Sequence, residues 1–132
     1  MSADGAAPAS GSFVLVVDDE VVIRDVATAI LTRAGFEVRS AEHGLAALAL
    51  FSQSPGCVSA VVLDESMPVL DGPATLRELR ALRADLPVVI SSGRGLDEER
   101  WKQFVGPRPL VLMKPYRGSA LLEAVRQAIA AS

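Results

Sequence analysis

The chain has 132 residues, of which 50% are apolar and 22% charged, and its 13 basic and 16 acidic side chains leave a net charge of -3. That is one domain by size, too apolar for a disordered tail, and without the basic excess that a nucleic-acid module requires. A single cysteine, Cys57, and a single histidine, His43, exclude an internal disulfide and a zinc site and point to a reducing, cytoplasmic setting.

Residues 1–12 are small and polar without periodicity and read as a flexible tail or linker, with the domain proper over 13–131. They carry no basic, apolar leader pattern. No apolar run in the chain approaches the roughly 20 residues of a membrane span.

Beyond the tail, short β-rich runs alternate with stretches of helical apolar spacing. The first strand is predicted at Phe13–Val17. A helix follows at about Glu20–Ala34, with Val22, Val26, Ala29 and Ile30 on its apolar face and Gly35 as its stop. The second strand, Glu37–Ser40, leads to a helix at Gly44–Gln53 that presents Ala47, Leu48 and Phe51. His43 is expected as a solvated residue at the start of that helix. Cys57 is expected to pack as a small apolar side chain.

The third strand, Val58–Leu63, is apolar on both faces. The helix after Gly72 carries Pro73 in its first turn, where a missing N–H costs nothing, and shows Leu76, Leu79 and Leu82. A fourth strand at Pro87–Ser91 precedes a short charged helix at about Asp97–Val105. The fifth strand, Leu110–Met113, is followed by a last helix at Ser119–Ala130 with Leu121, Leu122, Val125 and Ile129. Five strands alternating with five helices predict an α/β fold, a parallel sheet covered on both faces.

In such sheets a site lies beyond the carboxyl ends of the strands. There the sequence places Asp18, Asp19 and Glu20 after the first strand and Asp64, Glu65 and Ser66 after the third. Ser91 and Ser92 follow the fourth, and Lys114 and Pro115 the fifth. Each alone has an ordinary explanation: a helix cap for Asp18 or Asp19, a turn for Met67–Gly72, a loop hydroxyl for Ser92, a solvated cation for Lys114. Together they put carboxylates, a hydroxyl and one of only two lysines on one edge. Clustered carboxylates repel unless a cation intervenes, and oxygen-only ligands suit Mg²⁺. A phosphoryl group fits the same place, with Lys114 as counter-charge, Ser92 as donor and Asp64 as a possible nucleophile.

The motifs VLVVDDE (14–20), VVLDESMPVLDG (61–72), PVVISSG (87–93) and VLMKPY (111–116), in this order and spacing, make the chain resemble the receiver domain of two-component response regulators and hybrid histidine kinases. The resemblance spans about Ser12–Ala131. It implies a flavodoxin-like, doubly wound sheet in strand order 2-1-3-4-5. It also implies a signalling module rather than an enzyme acting on a separate substrate. Asp64 would accept a phosphoryl group from a histidine kinase or histidine phosphotransfer protein. Mg²⁺ would be held by Asp18, Asp19, Asp64 and the Ser66 carbonyl. Ser92 would follow the phosphoryl group as the switch hydroxyl, Lys114 would pair with it, and the Lys114–Pro115 bond would be cis. Asp71–Gly72 would shape the turn into the third helix through a glycine free to take positive φ. Tuning of phosphoryl lifetime falls to Glu65, Ser66 and Arg94.

The resemblance also places the output on the short charged helix and the last strand and helix, where Trp101, Lys102 and Arg117 are the candidate partner surface. The output would go to a partner protein or to other domains of a longer parent chain, since no effector follows Ala131. One departure stands out: Val111 occupies the place where many receivers carry Tyr or Phe, so coupling of Ser92 to an aromatic rotamer has no aromatic to use.

Three rival readings remain at this point. A small Mg²⁺-dependent phosphohydrolase commonly carries Asp-x-Asp, whereas Asp18 and Asp19 are adjacent. A flavodoxin-like cofactor binder would want donors where this chain has carboxylates. A phosphorylation-independent pseudo-receiver would lack motif positions that are all present here.

Overall fold

In a computed structural model, residues 11–95, 99 and 106–131 are described. The elements are β1 (Phe13–Val17), α1 (Val21–Arg33), β2 (Val38–Ala41), α2 (Gly44–Gln53), a 3-10 turn (Pro55–Cys57), β3 (Val58–Asp64), α3 (Gly72–Leu82), β4 (Val88–Ser92), β5 (Leu110–Met113) and α4 (Gly118–Ala131). The strands form one sheet in the order β2-β1-β3-β4-β5, with every neighbouring pair parallel. This is the expected doubly wound fold, with four α-helices among the described residues rather than five. The predicted helix at 97–105, with Trp101, Lys102 and Phe104, lies outside the described residues. No helix among the described residues is long and apolar enough to cross a membrane.

The central strands are buried on both faces because alternate side chains serve two cores. Phe13, Leu15, Val17, Val61, Leu63, Val88 and Ile90 pack with Phe51 of α2 and Leu76 and Leu79 of α3. Val14, Val16, Ala60, Val62 and Val89 pack on the other side with Ala27 and Leu31 of α1 and Leu121 and Val125 of α4. Burying one such Val, Leu or Phe contributes about 1.5–3 kcal/mol, so the sheet is a rigid base for whatever its carboxyl edge carries.

Several expectations fail in instructive ways. The apolar face of α1 is Ala27 and Leu31, with Ile30 partly buried, whereas Val22 and Val26 are 66% and 48% exposed. In α3, Leu82 is exposed and Arg80 is buried instead. The Arg80 guanidinium is held by the carbonyls of Leu86, 3.1 Å from Nε, and Pro107, 2.6 Å away. It thereby ties the loop before β4 to the segment before β5. Burial lowers its pKa, a shift that the nearby Asp85 opposes. Cys57 is exposed in the 3-10 turn rather than packed. His43 does begin α2, but as its half-buried N-cap, with Nδ1 accepting the Ala46 N–H at 3.0 Å. At the edge strand β2, Arg39 lies over the Phe13 ring at 4.4 Å.

The turn into α3 is built differently from the expectation as well. The positive φ belongs to Val69, at 69°, not to Gly72. Asp71 caps α3 by accepting the Ala74 N–H at 3.0 Å. Gly72 is required for space: a Cβ there would lie 2.7 Å from the Asp64 carbonyl oxygen and 2.8 Å from Glu65 Cα. Helix propensity alone would favour alanine at this position by about 1 kcal/mol. The close approach reverses that sign, because the atoms in the way are backbone. Gly72→Ala is therefore expected to lower unfolding stability by roughly 2 kcal/mol or more, read as a reduced midpoint in urea; an unchanged or raised midpoint would refute the close-packing account.

Candidate functional site

Parallel pairing carries four strand ends to one edge. Asp64 is paired with Ser91 across β3 and β4, and Ser92 with Met113 across β4 and β5. Backbone bonds extend the register past the strands: Glu65 N–H to Ser91 O at 2.9 Å, and Lys114 N–H to Ser92 O at 2.8 Å. The residues after each strand are thus fixed by the sheet itself.

Lys114 stands at the centre. Its Nζ donates to Asp18 Oδ2 at 2.9 Å and to Asp64 Oδ1 at 3.3 Å, and lies 4.0 Å from Glu20 Oε1. Asp18 and Asp64 are both buried, while Asp19 is exposed at the rim. Each of these three aspartates places a carboxylate oxygen within 4.8 Å of the others, a grouping able to hold a metal ion. The set is oxygen-only, open to solvent through Asp19, and contains no His or Cys, which fits a hard cation such as Mg²⁺.

Local bonds aim each carboxylate. Asp18 Oδ1 accepts the Glu20 N–H at 2.9 Å, and the Asp18 carbonyl accepts from Arg24 at 2.7 Å. The N-cap of α1 is Glu20, whose side chain makes no capping bond, so neither Asp18 nor Asp19 occupies the cap position. Asp64 Oδ1 also accepts the Ser66 N–H at 3.3 Å. Ser66 itself is exposed.

Across the pocket, the Ser92 hydroxyl donates to Glu65 Oε1 at 2.7 Å and accepts the Arg94 N–H at 3.1 Å. Asp19, Asp64, Glu65, Ser66, Ser92, Arg94 and Lys114 line one cavity of about 420 Å³. The expected residues therefore meet, the Lys114–Pro115 bond is cis, and Arg117 is exposed but not part of this cavity. Val111 is exposed on β5. Spacing does not predict the approach of Glu20 to Lys114, the Arg24 clasp on Asp18 or the Glu65–Ser92 bond. All three depend on side-chain reach.

The electrostatics are those of crowded acids around one cation. Burial, and then the Asp18 charge, push the Asp64 carboxyl from its ordinary 3.8 to about 6, against the pull of Lys114 and the Ser66 N–H. Burial works against the charged Lys114, but hydrogen bonds and charge from Asp18 and Asp64 outweigh it and raise its pKa. Tyr116, beyond the cis bond, has its phenol raised by burial and by Asp18.

Comparison with known proteins gives a consistent picture. A family model described as the response regulator receiver domain matches residues 14–126. The transcriptional regulatory protein PrrA of Mycobacterium tuberculosis is 36% identical over 113 residues, covering 86% of this chain and 48% of that protein. The sensor kinase CckA of Brucella abortus is 39% identical over 84 residues, 64% of this chain and 9% of that protein. The receiver domain of NtrX from Brucella abortus superposes with a TM-score of 0.79 at 33% identity, covering 90% of this chain and 99% of that one. The chain spans about half the length of the first curated relatives it matches.

A carboxyl whose pKa is raised on folding binds its proton more tightly in the native state. Its contribution to stability is therefore full below about 3.8 and is lost as pH rises through about 6. In chelator, Asp64→Asn is expected to unfold at a higher temperature than the unsubstituted chain at pH 7.5, with the gap closing toward pH 4. A gap that does not depend on pH over that range would show that the Asp64 charge is not what the native state resists.

Proposed function

The chain belongs to the response regulator receiver family of two-component signalling, and from that premise we propose that it takes a phosphoryl group onto Asp64. The observation that carries the reading is the Lys114 ammonium set between two buried carboxylates, at 2.9 Å from Asp18 and 3.3 Å from Asp64. A lone structural lysine would need one partner; this one is shared between the acceptor and its neighbour.

The donor is a phosphohistidine on a histidine kinase or phosphotransfer protein. An Asp64 carboxylate oxygen attacks phosphorus, the P–N bond breaks, and its electron pair leaves on the donor imidazole, which takes up a proton. Asp18, Asp19, Asp64 and the Ser66 carbonyl are the groups that would hold Mg²⁺, which offsets the negative charge brought together in this step. The chain's own contribution is positional. Arg24 and the Glu20 N–H fix Asp18, the Ser66 N–H orients Asp64, and Lys114 supplies a point charge for a phosphoryl oxygen.

Phosphorylation adds a charge of about -1.5 to -2 at this edge. Ser92 lines the same cavity as Asp64 and would follow the new oxygens, shifting the population of a two-state region. The message passes to a downstream protein or to other domains of a longer parent, as a regulator or within a hybrid kinase. Trp101, Lys102 and Arg117 mark the proposed partner surface.

Incubation with Mg²⁺ and acetyl phosphate followed by intact-mass measurement is expected to add one phosphoryl group, and none after Asp64→Ala. Modification of the Asp64→Ala chain, or sustained turnover of varied phosphomonoesters, would defeat the reading. Arg94, exposed beside the Ser92 hydroxyl, is expected to govern water access, so Arg94→Ala should change the decay rate of the acyl phosphate severalfold. An unchanged decay rate would remove Arg94 from that role.

A further inference from the structure

Glu65 follows the acceptor directly, and it is one of the most deeply placed charged side chains in the molecule, 3% exposed against 1% for Ser92. Its backbone is held on both sides. The N–H donates to Ser91 O at 2.9 Å and the carbonyl accepts the Gly72 N–H at 2.9 Å. With its main chain fixed to β4 and to the start of α3, the carboxylate meets the Ser92 hydroxyl at 2.7 Å in a buried contact.

A serine hydroxyl has one proton to give. Two acceptors lie within reach of Ser92, Glu65 Oε1 at 2.7 Å and the Gly95 carbonyl at 3.0 Å. The shorter bond runs to a carboxylate, and bonds of that length to ionised oxygen are the stronger kind. A phosphoryl oxygen on Asp64 would need the same proton. Two anionic acceptors therefore compete for a single donor.

We propose that Glu65 is a positioning residue that latches the Ser92 hydroxyl in the unphosphorylated state, so that phosphorylation must win this proton from Glu65 before the switch moves. The proposal rests on Asp64 as the phosphoryl acceptor. It assigns the resting bias of the switch to a carboxylate one residue away from the acceptor. A ligand that favours the switched state works against whatever stabilises the resting one. The strength of the latch should therefore be readable as lost affinity for a phosphoryl mimic.

The test uses the full chain, with beryllofluoride and Mg²⁺ as the probe and ¹⁹F NMR to give the half-saturating concentration. Glu65→Gln keeps the size and removes the charge. Glu65→Asp keeps the charge and withdraws the acceptor by one methylene. Each is measured with Ser92 present and in a Ser92→Ala background. A hydrogen bond to a charged group predicts that either change lowers the half-saturating concentration by about tenfold when Ser92 is present, and by much less when it is absent. Charge repulsion between Glu65 and the mimic would act equally in both backgrounds and would spare Glu65→Asp, so equal effects, or no effect of Glu65→Asp, overturn the latch. A chain without substitutions that never saturates overturns the latch together with the reading of Asp64. Saturation with additive effects overturns the latch alone.

Discussion

One ammonium group makes this site possible. Asp18 and Asp64 are buried at adjacent strand ends, where each raises the free energy of charge on the other, and Lys114 is the cation between them. The balance is incomplete by design of the geometry: the Asp64 carboxyl remains raised to about 6, because burial and Asp18 outweigh the lysine. A pocket with surplus negative charge and spare oxygen lone pairs attracts a further cation. With that cation in place it can receive an anion that the free carboxylates would repel. The same crowding that costs stability in the resting protein is what gives the edge its chemistry.

The placement of the site was legible from sequence because parallel α/β sheets convert sequence order into a common edge. Once the five strands were found, Asp18, Asp64, Ser92 and Lys114 had to share one end. The four motifs then identified the family. Side-chain facing was less legible. In α1, Val22 and Val26 carry the stronger apolar signal, yet the helix docks through Ala27 and Leu31, where small and branched side chains allow closer approach to Val14 and Val16. Arg80 reads as a surface residue at helical spacing but is satisfied inside by two carbonyls. Gly72 belongs to the turn that the motif marks, but what requires it is the nearby backbone of Asp64 and Glu65, and steric exclusion of that kind leaves no local trace in the sequence. Val69 shows the converse: a β-branched residue at φ 69° violates the local rule with its side chain exposed, where the Leu70 N–H closes a tight turn onto the Pro68 carbonyl at 2.8 Å.

The two cores divide the labour of the fold. The layer with α2 and α3 carries Phe13, Phe51 and the leucines beneath the turn that follows Asp64. The layer with α1 and α4 lies beneath the acidic turn after β1. Both end on the same rigid strands, so a change in charge at the edge meets a frame that does not deform smoothly. The loops after the strands bring Ser66, Gly93 and Arg94 to the solvent-exposed rim of that edge. A site built this way holds its acids and its hydroxyl on the sheet and opens only its rim to solvent.

The sequence distances inside the Lys114 contacts bear on how the molecule assembles. The lysine is 96 residues from Asp18 and 50 from Asp64, and it follows β5, the last strand in the sequence and an edge of the sheet. Contacts of such separation form only after long loops have closed. Until β5 docks, Asp18 and Asp64 face one another without their counter-charge, and every partly folded form that has already paired β1 with β3 carries that repulsion. Lys114 therefore couples completion of the sheet to neutralisation of its edge. The chain is favoured to hold its acids together only once the whole sheet exists, so intermediates lacking the fifth strand should offer neither the site nor the stability of the finished domain.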